Sequence, residues 1–285
     1  MNDDAVVELR GASFAYEDGP TVLHDLDFAV RPGRALALLG RNGSGKTTLM
    51  RLLSGGLRPR TGRLLLESVP VTYDRAGLTR LRTTVQLVLQ DPDDQLFAAS
   101  VAQDVSFGPL NLGLPDSEVT DRVLQALAAL GISELAERPT HLLSYGQRKR
   151  AAIAGAVALR PRVLILDEPT AGLDPEGQER LLDTLAGLQT DGTTVVMATH
   201  DVDLALRWAD DVALLTPAGP HVGPAGDTLS RADLVAQAGL RPAWGIAATR
   251  LLRAQRLLGQ DAPGPRTAAE LDAHAARVRG EEAAR

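Results

Sequence analysis

Short apolar runs, separated by stretches with a helical period, set the plan of this chain. ALALL (Ala35–Leu39), VQLVLQ (Val85–Gln90), VLIL (Val163–Leu166) and TVVMAT (Thr194–Thr199) show little alternation. That is the pattern of strands covered by helices on both faces of a parallel sheet. Nearer the N-terminus, VVELRGASFAY and TVLHDLDFAV alternate apolar with polar, as half-exposed antiparallel strands do. Helical spacing predicts helices over Lys46–Leu53, Ser117–Leu130, Ser144–Leu159 and Pro175–Thr190. The class is therefore α/β, a mainly parallel sheet with an antiparallel β subdomain. PAGPHVGPAG, near Thr216, reads as a boundary. The expected plan is a main domain over residues 1–228 and a small helical extension over 229–285, whose last stretch, HAARVRGEEAAR, is expected to fray.

Composition narrows the class. With 285 residues the chain has room for one large α/β domain and an appendage. No stretch approaches the roughly 18 to 20 apolar residues of a spanning helix, and MNDDAVVELR has no apolar core of a secretory signal. With no cysteine there are no disulfides and no thiolate metal sites, and a cytoplasmic address is expected. A net charge of −6 and 3% aromatics argue against a nucleic-acid surface.

One stretch carries chemistry. GRNGSGKTT (Gly40–Thr48) follows the ALALL strand and opens a helix, the setting of a phosphate-binding loop. Gly40, Gly43 and Gly45, with Asn42 and Ser44 between them, let the backbone turn successive N–H groups toward one anion. Lys46 is one of only two lysines in a chain that otherwise uses arginine. Its compact ammonium suits the β- and γ-phosphates, where a planar guanidinium is too large for a backbone cradle. Thr47 is the expected magnesium ligand and Thr48 a further phosphate contact. VLILDEPT supplies a second half-site: a buried strand ends in Asp167, placed to hold magnesium through water, and is followed by Glu168, which could polarise an attacking water.

With these motifs in order, the chain resembles the ATP-binding subunit of an ABC (ATP-binding cassette) transporter, from about Val6 to Leu215. The resemblance implies a P-loop NTPase core with an added helical subdomain, ATP and Mg2+ as ligands, and ATP hydrolysis. LSYGQ (Leu143–Gln147) is similar to the family signature LSGGQ, with Tyr145 replacing the commoner glycine. It implies that Ser144, Gly146 and Gln147 complete the nucleotide site of a second ATPase subunit. An ordinary helix cap at Ser144 is the plain alternative. Gln90 matches the glutamine that touches magnesium and water and senses the membrane subunit. His200 matches the histidine that contacts the γ-phosphate, although a lone histidine at a strand end is more often a surface residue. Asp174, in AGLDP, matches an aspartate that crosses the dimer interface, and also suits a cap before Pro175. Tyr16 matches the aromatic that stacks on adenine, with a core strand aromatic as the alternative.

A finer resemblance lies in LQDPDDQLFAASVAQDVSFGPLNLGL (Leu89–Leu114), which is similar to the ATPases of energy-coupling-factor transporters of the cobalt and nickel uptake type. There the segment lies against a transmembrane coupling subunit. Leu96, Phe97, Val101 and Phe107 with Asp93 and Asp94 would offer an apolar face bordered by carboxylates. Packing of that helix inside its own domain is the alternative. Leu234–Gly259 resembles the C-terminal extension of the same group, implying a part in pairing two ATPase subunits, with an appendage folded on its own domain as the alternative. The implied function is import of a micronutrient such as cobalt or nickel, from the cytoplasmic face of the membrane. Another ABC importer or exporter, or an ABC-type ATPase acting on nucleic acid or ribosomes, is the alternative, but the last lacks the expected coiled-coil insertion or second cassette. No nucleic-acid partner is expected.

Overall fold

The buried runs become strands where the sequence pattern places them. In the computed structural model, which describes residues 4–17, 19–259 and 262–283, the order begins β1 (Val7–Ala15), β2 (Thr21–Val30), β3 (Leu36–Leu39), α1 (Lys46–Leu53), β4 (Thr61–Leu66), β5 (Val69–Pro70) and α2 (Arg75–Thr84). It continues with β6 (Val85–Val88), α3 (Val101–Asn111), α4 (Asp116–Ala129), α5 (Tyr145–Val157), β7 (Val163–Asp167), α6 (Pro175–Thr190) and β8 (Thr194–Thr199). The remaining elements are α7 (Val202–Trp208), β9 (Asp211–Thr216), β10 (Gly219–Pro224), α8 (Ala225–Ser230), α9 (Ala232–Gln237), α10 (Trp244–Ala254) and α11 (Ala268–Ala283). Two compact units result: residues 1–35 with 45–198, and residues 36–44 with 199–285.

In the first unit an antiparallel sheet runs β2-β1-β4-β5. β1 alternates buried and half-buried positions, which is why its sequence shows a period of two. β6, β7 and β8 are parallel, with Val85 opposite Val163 and Val163 opposite Thr194. Every residue of β7 and β8 is buried, as expected of strands covered on both faces. Each fully buried branched side chain there contributes about 1.5–3 kcal/mol. Helices α3, α4 and α5 pack on one another as a helical subdomain.

In the second unit β3 runs parallel to β9, Leu36 opposite Asp211 through Leu39 opposite Leu214, and β9 turns back as β10. Its core gathers Leu39 and Leu214 with Leu206, Leu229, Leu234 and Val235. The expected boundary at PAGPHVGPAG is therefore a hairpin. Gly219, with φ 115°, makes its turn, and two prolines are tolerated because, among the described residues, β10 pairs with β9 alone. The stretch expected to fray belongs to α11 as far as Ala283, while Ala284 and Arg285 lie outside the described residues. β4, β5, β9 and β10 were not among the expected elements.

Candidate functional site

The loop leaving β3 turns within the second unit. Gly40 is buried, and a Cβ there would meet Ser44 Oγ at 2.6 Å and the Cβ atoms of Ser44 and Leu215 at 3.2 and 3.3 Å, so a larger residue would force Ser44 to move. The turn is fastened by Arg41 N–H donating to the Ala238 carbonyl (3.0 Å) and Ser44 N–H donating to the Arg41 carbonyl (3.1 Å). Asn42 and Gly43 are exposed, Gly43 with φ 79°. Ser44 Oγ is buried and, among the described residues, has no hydrogen-bond partner. A buried hydroxyl in that state is costly unless a ligand oxygen satisfies it.

In the first unit Gly45 is the N-cap of α1, with φ 94° and no side-chain cap. The first-turn N–H groups of a helix have no intrahelical partner and favour an anion. Lys46, the first residue of α1, is 8% exposed. Burial pushes its ammonium below the ordinary lysine range, and the Glu168 and Asp167 carboxylates oppose that fall. The Thr47 hydroxyl donates to Asp167 Oδ2 at 3.1 Å. Thr48 shares a hydrogen bond with the Tyr16 hydroxyl (3.2 Å). Tyr16 stands edge-on to Phe14 with its ring exposed, which is what a stacking surface for a flat base requires and a core aromatic does not.

Asp167 ends β7 and is buried. Burial raises its carboxyl above the usual range, the Thr47 hydrogen bond lowers it, Glu168 raises it, and Lys46 and Arg51 lower it. The Thr47 hydroxyl and the Asp167 carboxylate are hard oxygen donors brought within 3.1 Å, a donor set that fits magnesium, which takes the rest of its shell from water and phosphate. Glu168 is also buried and sits in the left-handed region with φ 46°, a strained state for a residue with a Cβ. Its N–H donates to the Ala198 carbonyl (3.0 Å), and its own carbonyl accepts from Lys149 Nζ (2.7 Å).

Ser144 and Gln147 form a capping box at the start of α5: Gln147 N–H donates to Ser144 Oγ (3.3 Å) and Ser144 N–H to Gln147 Oε1 (2.9 Å). Ser144 is thus a cap, as its plain alternative holds, and α5 begins regularly despite Tyr145. A Cβ on Gly146 would come within 3.1 Å of Leu173. The Tyr145 hydroxyl donates to the Gln90 carbonyl (3.4 Å), and Gln90 is exposed just beyond β6. Asp174 caps α6 by accepting from Gly177 N–H (2.8 Å). His200 is exposed directly after β8, in the second unit. The structure thus joins Tyr16 to Thr48 and Thr47 to Asp167, places Lys46 in the field of both acids, and links Gln90 to the start of α5.

Three residues escaped the sequence reading. Lys149 is almost completely buried against the Glu168 loop. Gln95 accepts from Leu89 N–H (2.9 Å), and Asp104, also buried, accepts from Phe97 and Ala98 N–H (both 2.8 Å). These two shape the segment after Gln90. Val101 requires a correction, because it lies fully in the core. It cannot belong to the exposed apolar face, which consists of Phe97 against Phe107 (ring centroids 4.7 Å apart) and exposed Leu110, with Leu96 half-buried. Among the described residues no helix is long and apolar enough to cross a membrane.

An uncapped helix start carrying a buried lysine, and a hydroxyl bonded to the first of two buried acids, can bind a metal-bound polyphosphate and direct a water at it. The known proteins agree with that chemistry. The family described as ABC transporter matches residues 23–171. A Streptomyces coelicolor protein whose name assigns it provisionally to the ABC transporter ATP-binding proteins is 77% identical over 94% of this chain and 95% of its own length. The cobalt import ATP-binding protein CbiO of Rhodobacter capsulatus is 50% identical, covering 96% of this chain and 98% of that protein. Among solved structures, CbiO1 of Clostridium perfringens, part of the cbiONQ ABC transporter complex, superimposes with a TM-score of 0.73 at 40% identity, over 84% of this chain and 96% of that one.

Proposed function

The chain belongs to the ABC transporter family, and on that premise we propose that it is the ATP-hydrolysing subunit of an energy-coupling-factor type importer of a micronutrient such as cobalt or nickel. The cargo follows the name of the Rhodobacter relative, matched along nearly its whole length. The observation that carries the reading is the Thr47–Asp167 hydrogen bond, since it ties the start of α1 to the acid pair at the end of β7.

In this reading Gly40, Asn42, Gly43, Ser44, Gly45, Lys46, Thr47 and Thr48 wrap the phosphates of ATP, and Tyr16 stacks on the adenine. Thr47, Gln90 and Asp167 would hold Mg2+, which when bound neutralises charge across the β- and γ-phosphates. Glu168 takes the proton of the attacking water as the bond to the γ-phosphorus forms, and His200 steadies the γ-phosphate as the β–γ bridging bond breaks. Ser144, Gly146 and Gln147 serve the nucleotide of a second ATPase subunit, and Asp174 lies at the seam between the two. Residues 1–228 form the nucleotide-binding domain. Residues 229–285 form an extension whose exposed Trp244, Leu251 and Leu257 suit pairing with that second subunit.

The exposed Phe97, Phe107 and Leu110, beside the exposed carboxylates of Asp91, Asp93 and Asp94, suit a basic coupling helix of a transmembrane partner. This holds the chain at the cytoplasmic face of the membrane. Glu168→Gln should bind Mg·ATP with unchanged affinity in calorimetry while its turnover falls at least about a hundredfold, the usual range for losing a general base. Normal steady-state hydrolysis in that variant would overturn the assignment. Recovery of a multi-pass subunit with the chain purified from membranes would support the importer, whereas recovery of ribosomes or nucleic acid would sink it.

A further inference from the structure

The chain's second lysine, Lys149, lies within α5 in the basic run Arg148–Arg150, where a charge facing solvent would be ordinary. Yet only 1% of it is exposed. Its Nζ donates to the Glu168 carbonyl at 2.7 Å and to the Ala171 carbonyl at 2.8 Å. The turn between those carbonyls is closed by Ala171 N–H donating to the Glu168 carbonyl (3.2 Å). The lysine is roofed by the Tyr145 ring, whose centroid is 5.3 Å from Nζ. That ring also fills the space over Gly172, where a Cβ would meet Tyr145 Cε1 at 2.7 Å.

Glu168 needs such a hold. Its left-handed backbone, with φ 46°, is unfavourable for a residue with a Cβ, and strain of this kind persists only where the surroundings over-determine it. One side of the strained Cα is fixed by the bond from Glu168 N–H to Ala198. The other is fixed by the amine of Lys149. Since φ and ψ at Glu168 set where its Cβ points, loosening either peptide re-aims the carboxylate.

We propose that Lys149 is a positioning residue for the hydrolytic reaction: by holding the carbonyls of Glu168 and Ala171 it fixes the strained turn that aims the Glu168 carboxylate. The proposal rests on the reading of Glu168 given above. It assigns a task in this chain's own active site to the helix that opens with Ser144.

The test compares full-length wild type, Lys149→Met and Lys149→Gln. With Lys149→Met, kcat for Mg·ATP should fall about tenfold or more, the scale of a misplaced catalytic group, with nucleotide affinity by calorimetry unchanged. Backbone amide exchange should quicken at residues 168–173 but not in the β1–β2 sheet. Lys149→Gln, one bond shorter but still a donor, should fall between the two. In a Glu168→Gln background, Lys149→Met should cost no further single-turnover rate, because it acts through the group already removed. Wild-type kcat in Lys149→Met, an affinity loss matching the kcat loss, or additive effects in the double variant would each overturn the proposal. Should Lys149→Met fail to fold, Lys149→Gln decides: wild-type kcat and exchange would overturn it, and lowered kcat with faster exchange at 168–173 would support it. A wild type that releases no phosphate would overturn the functional reading instead, and is told apart because the exchange measurement needs no turnover.

Discussion

The two lysines of the chain occupy two kinds of buried site. Lys46 follows a left-handed glycine at an uncapped helix start, where main-chain donors converge and an anion is wanted. Lys149 lies within a helix and is met by main-chain acceptors. Burial lowers both below the ordinary lysine range, and the same two carboxylates, Glu168 and Asp167, oppose the fall in both. The difference teaches that a buried cation at an uncapped helix start is placed where an anion is wanted, whereas one donating to two carbonyls is placed to hold its own chain.

Exchanging the charge at each position should separate these tasks. Lys46→Met should have the largest effect, a loss of Mg·ATP hydrolysis of about a thousandfold with weakened nucleotide binding, as expected when a main electrostatic contact to the transferring phosphoryl group is removed. Intact binding and turnover in that variant would erase the contrast. Gly45→Ala comes next. It forces a Cβ onto φ 94° and within 3.1 Å of Leu23, so thermal unfolding should show a loss of about 1–2 kcal/mol. A wild-type Tm would mean the turn adapts, and the site is less fixed than its glycines imply.

The smallest effect is a pH trend. The folded chain holds the Lys149 pKa at about 8, against 10.5 for an ordinary lysine. Between those values the unfolded chain carries a proton that the folded chain does not, so stability contributed by this group rises as pH climbs from about 8 toward 10.5. The rise in Tm from pH 8 to pH 9.5 should therefore be smaller in Lys149→Met than in wild type. Equal slopes would show that the buried amine titrates normally.

Much of this was legible in the sequence where local rules and tertiary structure agree. The helices at Lys46–Leu53 and Pro175–Thr190 and the strand at Thr194–Thr199 have the observed bounds, because glycine, an aspartate cap with proline, and a doubly buried apolar run each mark an end. The Thr47–Asp167 pairing was approached through two motifs 120 residues apart. β10 was not legible, since GPHVGP has the composition of a loop and is a strand only because β9 pairs with it. Lys149 was not legible either: RKR in a helix reads as a solvated face, and only packing reveals otherwise. The signal that could have found it was its rarity, as a lysine where the chain elsewhere uses arginine.

The Tyr145 ring over Gly172 also links two positions of the sequence. A Cβ at residue 172 would stand 2.7 Å from the ring and would also sit on a backbone with φ 76°, so two independent penalties guard that position. Loss of the aromatic at 145 removes one of them, and the bulk of the signature tyrosine is recorded as a vacancy twenty-seven residues downstream that the backbone also enforces.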